Sequence, residues 1–188
     1  MNSEIKAFID EEYKNIYVNL NVNWLKGFKS KLEEVSHKGL ANSGIEQSIL
    51  TNYAIKLVKD VNEKVKNLLI ASQEKFNFEM QSNDIENYIN KSINNSNNYL
   101  EKMKNDLVDY FGNKKMPLAE SCKMQLSNAK LNNKALLEKI KKELILINKG
   151  KLKLEKPIVQ KNFSKGDIIG IISIVVAIIL FILGLLFA

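Results

Sequence analysis

One cysteine and one histidine are the side chains in this sequence best suited to nucleophilic chemistry. Cys122 would attack as a thiolate, and His37 would be the base that activates it. Cys122, however, falls on the apolar stripe of a predicted helix, where a small hydrophobic residue is expected. His37 falls at a predicted helix end, where a cation is favoured. We interpret both residues as structural, and an enzyme that pairs them across the fold is kept as an alternative.

The acidic residues show no spacing that is typical of a metal or acid–base site. The acidic runs at 10–12 and 33–34 fall on polar faces of predicted helices. No E-x-x-H pattern is present, and one histidine does not provide a His-based metal site. Glycine-rich phosphate loops are also absent from the sequence. The sequence therefore predicts a protein that is not an enzyme, with no catalytic residues, cofactor or metal.

The basic residues are unusual in type and in distribution. All 28 are lysine, and arginine is the preferred bidentate partner of phosphate and guanine, so nucleic-acid recognition is disfavoured. Residues 123–188 carry 12 lysines and 4 acids, a net charge of +8, whereas residues 1–122 carry 16 lysines and 17 acids. This asymmetry predicts contact with anionic membrane lipid through Lys156, Lys161 and Lys165.

The basic region leads into 168–188, a stretch of 21 residues without a charge. As a helix it would be about 31 Å long, which matches the hydrocarbon thickness of a bilayer. We predict a single transmembrane helix here and a basic juxtamembrane linker at 151–167. The N-terminal sequence has no apolar core of signal-peptide length, and the lysines favour the cytoplasmic side. The expected protein is thus tail-anchored, with its N-terminal domain in the cytoplasm.

Small residues recur along one face of the predicted transmembrane helix. Small side chains let such helices approach each other closely, so this face is a candidate for self-association. It comprises Gly170, Ser173, Ala177 and Gly184.

Residues 1–150 show the periodicity of long amphipathic helices. Apolar residues recur every three or four positions, and glycine, proline and capping residues divide the region into four segments. We predict helices at 3–37, from Ser43 to about residue 81, at 84–112, and from Pro117 to Gly150, with a frayed turn at 94–98. Ser43 and Glu46 form a predicted capping box. Such stripes favour an elongated three- to four-helix bundle of the all-α class, packed as in coiled coils.

The first predicted helix carries more apolar residues than one stripe requires. Trp24 and its aromatic neighbours are expected in the core, or in a partner-binding groove if only three helices form the bundle. Val18, Val22 and Leu25 lie beside this stripe and widen the apolar face.

These observations favour a non-enzymatic, tail-anchored helical scaffold that holds a protein partner, or itself as a homo-oligomer, at a membrane. The alternative is a membrane-active protein that permeabilises or remodels anionic bilayers, which the basic region and the amphipathic helices also suit. Gly150 and Pro157 interrupt the chain before the anchor, which disfavours the continuous heptads of membrane-fusion SNARE proteins.

Overall fold

The fold of residues 1–150 is an all-helical bundle. A computed structural model describes these residues, and within them the predicted four-helix organisation is confirmed. The helices are α1 (Ser3–His37), α2 (Gly44–Phe76), α3 (Ser82–Asn113) and α4 (Glu120–Asn148). At about 1.5 Å per residue they extend for roughly 44 to 53 Å.

The predicted cap at the start of α2 is present, but α2 ends at Phe76, earlier than the predicted end near residue 81. Gly39, just after α1, has a φ of +68°, a left-handed conformation that glycine adopts without a steric penalty. Ser43 Oγ accepts a hydrogen bond from the backbone N–H of Glu46 at 3.2 Å. The returning bond differs from a standard capping box, because the Glu46 carboxylate accepts from the N–H of Asn42 rather than from that of Ser43.

Two predictions about α3 and α4 were wrong. Helix α3 continues through 94–98 without a break, because the polar side chains there are hydrogen-bonded to other helices inside the bundle. Helix α4 begins at Glu120, three residues later than predicted. Pro117 precedes the helix, and its carbonyl accepts a hydrogen bond from Gln47 of α2 at 3.1 Å.

Helices α2 and α3 occupy the middle of the bundle. Helix α1 packs closely on α2, and α4 packs on both α3 and α2, whereas α1 and α4 do not approach each other within the described residues. Helices α1 and α3 run parallel and are held apart by large side chains. Tyr13 and Trp24 of α1 reach across this gap to Asn95 and Asp106 of α3.

The close approach of α1 and α2 depends on a glycine. A Cβ at Gly27 would lie 1.7 Å from the hydroxyl oxygen of Tyr53. Without that Cβ, the Tyr53 ring stacks on Trp24, with ring centroids 6.0 Å apart, and its hydroxyl donates to the Asn23 carbonyl at 2.8 Å. Trp24 itself is 1% exposed. The aromatic face of α1 is therefore core, and the three-helix alternative with an open groove is excluded.

Among residues 1–150, no helix has the length and apolar character that crossing a membrane requires. The predicted transmembrane helix at 168–188, the linker at 151–167 and all residues predicted to contact lipid lie outside the described residues.

Candidate interaction surfaces

Helix α1 has a second apolar face, which points away from the core. Val18, Val22 and Leu25 are 51%, 38% and 58% exposed, and their spacing of four and three residues places them on one side of the helix. The sequence predicted that these residues widen the apolar face of α1, and the structure places them on its exposed side. The core of the bundle buries only one of the two apolar faces of α1. Val18, Val22 and Leu25 form the other face, a short aliphatic row in solvent, which we call the α1 stripe.

Charged residues of opposite sign close the two ends of the α1 stripe. Glu11 lies two turns before Val18, and Lys29 lies one turn after Leu25. Both side chains are exposed, and neither forms an ion pair with another described residue. The stripe therefore combines an apolar centre with one acidic and one basic end.

Helix α4 exposes a different kind of surface. Met124 and Leu131 are 62% and 71% exposed and lie two turns apart on one side of the helix. Lys134 and Lys142 are exposed close to the same side. Apolar side chains beside lysines are typical of helices that lie in a membrane interface, although Glu138, two turns after Leu131, adds an acid to this line and pairs with Lys141 at 2.8 Å. We call this region the α4 basic face.

A layer of polar side chains crosses the interior of the bundle and joins all four helices. Tyr17 of α1 lies 3.1 Å from Ser96 Oγ of α3, and Ser96 donates to Asn62 Oδ1 of α2 at 3.0 Å. Asn62 donates to Asn133 of α4, and Asn133 donates back to Asn97 of α3 at 3.1 Å. The Ser96 hydroxyl has one proton and donates it to Asn62. Ser96 therefore accepts the hydrogen bond that it shares with Tyr17. We call this connected set the neutral layer.

Tyr13 extends the neutral layer along α1. Its hydroxyl lies 3.2 Å from both Ser92 Oγ and Asn95 Nδ2. Burial raises the pKa of Tyr13 well above its ordinary value, and the neighbouring Tyr17 raises it further. The raised pKa keeps the Tyr13 hydroxyl protonated at neutral pH, and the rest of the layer consists of hydroxyl and amide groups.

A charged cluster occupies the end of the bundle where α2 begins. Glu46 is 1% exposed, and its Oε1 accepts from Tyr110 at 2.9 Å and from Lys114 Nζ at 3.1 Å. Burial lowers the pKa of Lys114, but hydrogen bonds to Tyr110 and Glu46 outweigh that effect and raise it. The next residue, Gln47, accepts from the N–H of Ala119 at 2.7 Å and thereby caps α4. We call Glu46, Tyr110 and Lys114 the end cluster.

A cleft of about 260 Å³ lies at the opposite end, beside the first turns of α1 and α3. Lys6, Asp10, Asp84 and Lys91 contribute charges of both signs to its wall. Tyr88 donates to Asp10 at 3.1 Å, and burial, assisted by this bond, raises the pKa of Tyr88. The N-terminal ammonium of Met1, 3.9 Å from Asp84, adds a third positive group, so the cleft presents charges of both signs to a ligand.

The two residues considered for catalysis have different environments in the structure. Cys122 is 4% exposed and belongs to the apolar core, as expected from its place on the stripe. His37 is the exposed last residue of α1. The described part of the chain contains no group of three or more His, Cys, Asp or Glu side chains that could hold a metal ion.

Comparison with known proteins returned no relative. The chain matches no protein-family model, no curated protein and no solved structure.

Proposed function

We propose that this protein is a non-enzymatic interaction scaffold, anchored in a membrane through 168–188, that displays its helical bundle in the cytoplasm. The observation that carries the proposal is the α1 stripe. An aliphatic row on the exposed side of a bundle with its own core is a candidate contact surface, because contiguous exposed apolar patches can mark sites of protein interaction. The uncharged 21-residue stretch and the lysines before it support the anchor and its orientation.

The anchor is tested with the full-length chain expressed in cells. We expect the chain to stay with the membrane fraction in alkaline carbonate. Trypsin should degrade residues 1–150 only after the cells are opened. The matched control replaces Ile174 and Ile178 with lysine, because each charge in the middle of a span opposes insertion by about 3 kcal/mol. Release of the unaltered chain by carbonate, or its digestion in intact cells, would overturn the proposal.

The alternative, a protein that acts on anionic bilayers, is favoured by one observation, the α4 basic face. This surface does not require the bundle to open, since Met124 and Leu131 are already exposed. It predicts that residues 1–165 bind anionic vesicles, that binding weakens with salt, and that Leu131→Ser reduces binding. The control is Leu25→Ser on the α1 stripe, which should leave vesicle binding unchanged. Absence of binding at low salt would rule this function out.

A further inference from the structure

We infer that the α1 stripe binds the same stripe of a second copy of this chain, with the two α1 helices antiparallel. The inference rests on the proposed scaffold function, because it names the partner that the scaffold holds. It is carried by the order of apolar and charged residues along the stripe.

The order of residues along the stripe is symmetric about residue 20 except at Leu25, whose counterpart at position 15 is asparagine. Val18 and Val22 are each two residues from this centre, and Glu11 and Lys29 are each nine residues from it. A two-fold axis through the centre makes an isologous interface, in which residue 18 of one copy faces residue 22 of the other. The same axis brings Glu11 of each copy opposite Lys29 of the other, which forms two equivalent ion pairs.

Charge selects the antiparallel orientation over the parallel one. Parallel pairing would place Glu11 against Glu11 and Lys29 against Lys29, and like charges at such distances repel. Antiparallel pairing also sets the two helix dipoles in opposition. Lys14 and Lys26 lie on opposite sides of Val18 at 100° per residue. The two-fold axis brings the same side of each helix together, so Lys14 of one copy and Lys26 of the other lie on opposite sides of the interface.

The geometry also indicates the strength of the contact. One helix pair buries less than the roughly 1,200 Å² that stable complexes require, so the interface is of the transient class. Confinement of the copies to one surface raises their effective concentration and thereby favours pairing. Both charged ends of the stripe lack ion-pair partners among the described residues, so both are available to pair with a second copy.

Cysteine cross-linking tests the orientation directly. The full-length chain in detergent micelles, with Cys122 replaced by alanine, carries either Glu11→Cys or Lys29→Cys. Mixing the two variants under mild oxidation should give a disulfide-linked dimer in at least about tenfold greater yield than either variant alone. In the antiparallel pair the two residue-11 positions are about 27 Å apart, far beyond the reach of a disulfide. Dimers from Glu11→Cys alone, or no dimer in the mixture, would overturn the inference.

Charge reversal provides an independent test that requires no oxidation. Glu11→Lys and Lys29→Glu should each weaken the association measured by sedimentation about tenfold, since each change affects two symmetric pairs. The double variant should restore it, because the opposite charges still face each other. Circular dichroism verifies that each variant is folded. If the double variant did not recover the association, the antiparallel pair would be excluded. Loss of membrane retention in the carbonate experiment would count against the proposed anchor and not against the pair.

Discussion

The neutral layer and the end cluster are both buried and polar, yet they constrain the bundle in different ways. The neutral layer lies in the middle of the four helices and consists of hydroxyl and amide groups, each held by partners on other helices. The end cluster contains a buried carboxylate that contacts a tyrosine and a lysine near the end of α3. The neutral layer therefore specifies how the helices align, whereas the end cluster holds the connection between α1 and α2 in place through the bond from Asn42 to Glu46.

Removal of Glu46 should have the largest effect, because it leaves Lys114 and Tyr110 without their acceptor. We expect Glu46→Ala to lower the free energy of unfolding by about 3 kcal/mol, since breaking a buried ion pair strands its partner. The measurement is urea unfolding at neutral pH. The control is Glu33→Ala on the exposed face of α1, which should be almost neutral. Similar losses from both variants would show that burial does not distinguish the end cluster.

Asn133 tests the neutral layer, and its effect should be smaller. Asn133→Leu removes the bonds to Asn62 and Asn97 and should lower the free energy of unfolding by about 2 kcal/mol, the range for stranded neutral groups. Asn132→Leu, on the exposed side of α4, is the control. Combining Asn133→Leu with Asn62→Leu should cost less than the sum of the single changes, because two apolar groups then face each other. Strict additivity would mean that the two side chains do not depend on each other.

The sequence predicted the helices well because their signals are local. The limits of α1 matched, and Ser43 and Gly39 act as the cap and the left-handed residue that their types indicate. The errors occurred where a distant partner decided the outcome. The asparagine-rich turn at 94–98 has poor helix propensity, but tertiary hydrogen bonds override it.

The exposed stripe illustrates the same limit for the candidate site. Val18 and the aromatic Tyr17 are adjacent in the sequence, but Tyr17 is buried and Val18 is exposed. Which of two apolar rows enters the core depends on the packing of α2 and α3, which no pattern within α1 contains. The order of apolar and charged residues along the stripe was present in the sequence, and it became informative only when the structure showed that Val18, Val22 and Leu25 are exposed.

Thr51 is a buried polar residue whose replacement should raise the free energy of unfolding, whereas replacement of Glu46 or Asn133 should lower it. It is fully buried on α2, and its hydroxyl has no hydrogen-bond partner among the described residues. Removing an unsatisfied hydroxyl should stabilise the fold, and we expect Thr51→Val to raise the free energy of unfolding by about 1 kcal/mol. Ser72→Ala is the matched control, because the buried Ser72 hydroxyl donates to the Leu68 carbonyl at 2.7 Å. A stability loss at Thr51 would indicate a partner for its hydroxyl.

Glu34 separates the effect of a strong ion pair from the effect of burial. Its carboxylate contacts Lys31 and Lys38 at 2.6 Å each, and hydrogen bonds to these lysines lower its pKa to about 2. A depressed pKa adds stability above the ordinary value of 4.5, and this is lost as the pH falls towards 2. Because Glu34 is 39% exposed, solvent and salt should screen that contribution.

We therefore expect Glu34→Gln to leave the thermal unfolding midpoint unchanged within error at neutral pH and about 0.15 M salt. A small decrease should emerge only when the salt concentration is reduced. Glu46→Gln, measured in parallel, should lower the midpoint at both salt concentrations, because its carboxylate is shielded from the solvent. If Glu34→Gln destabilised the protein as much as Glu46→Gln, the number of lysine contacts, rather than burial, would determine what a carboxylate contributes to this bundle.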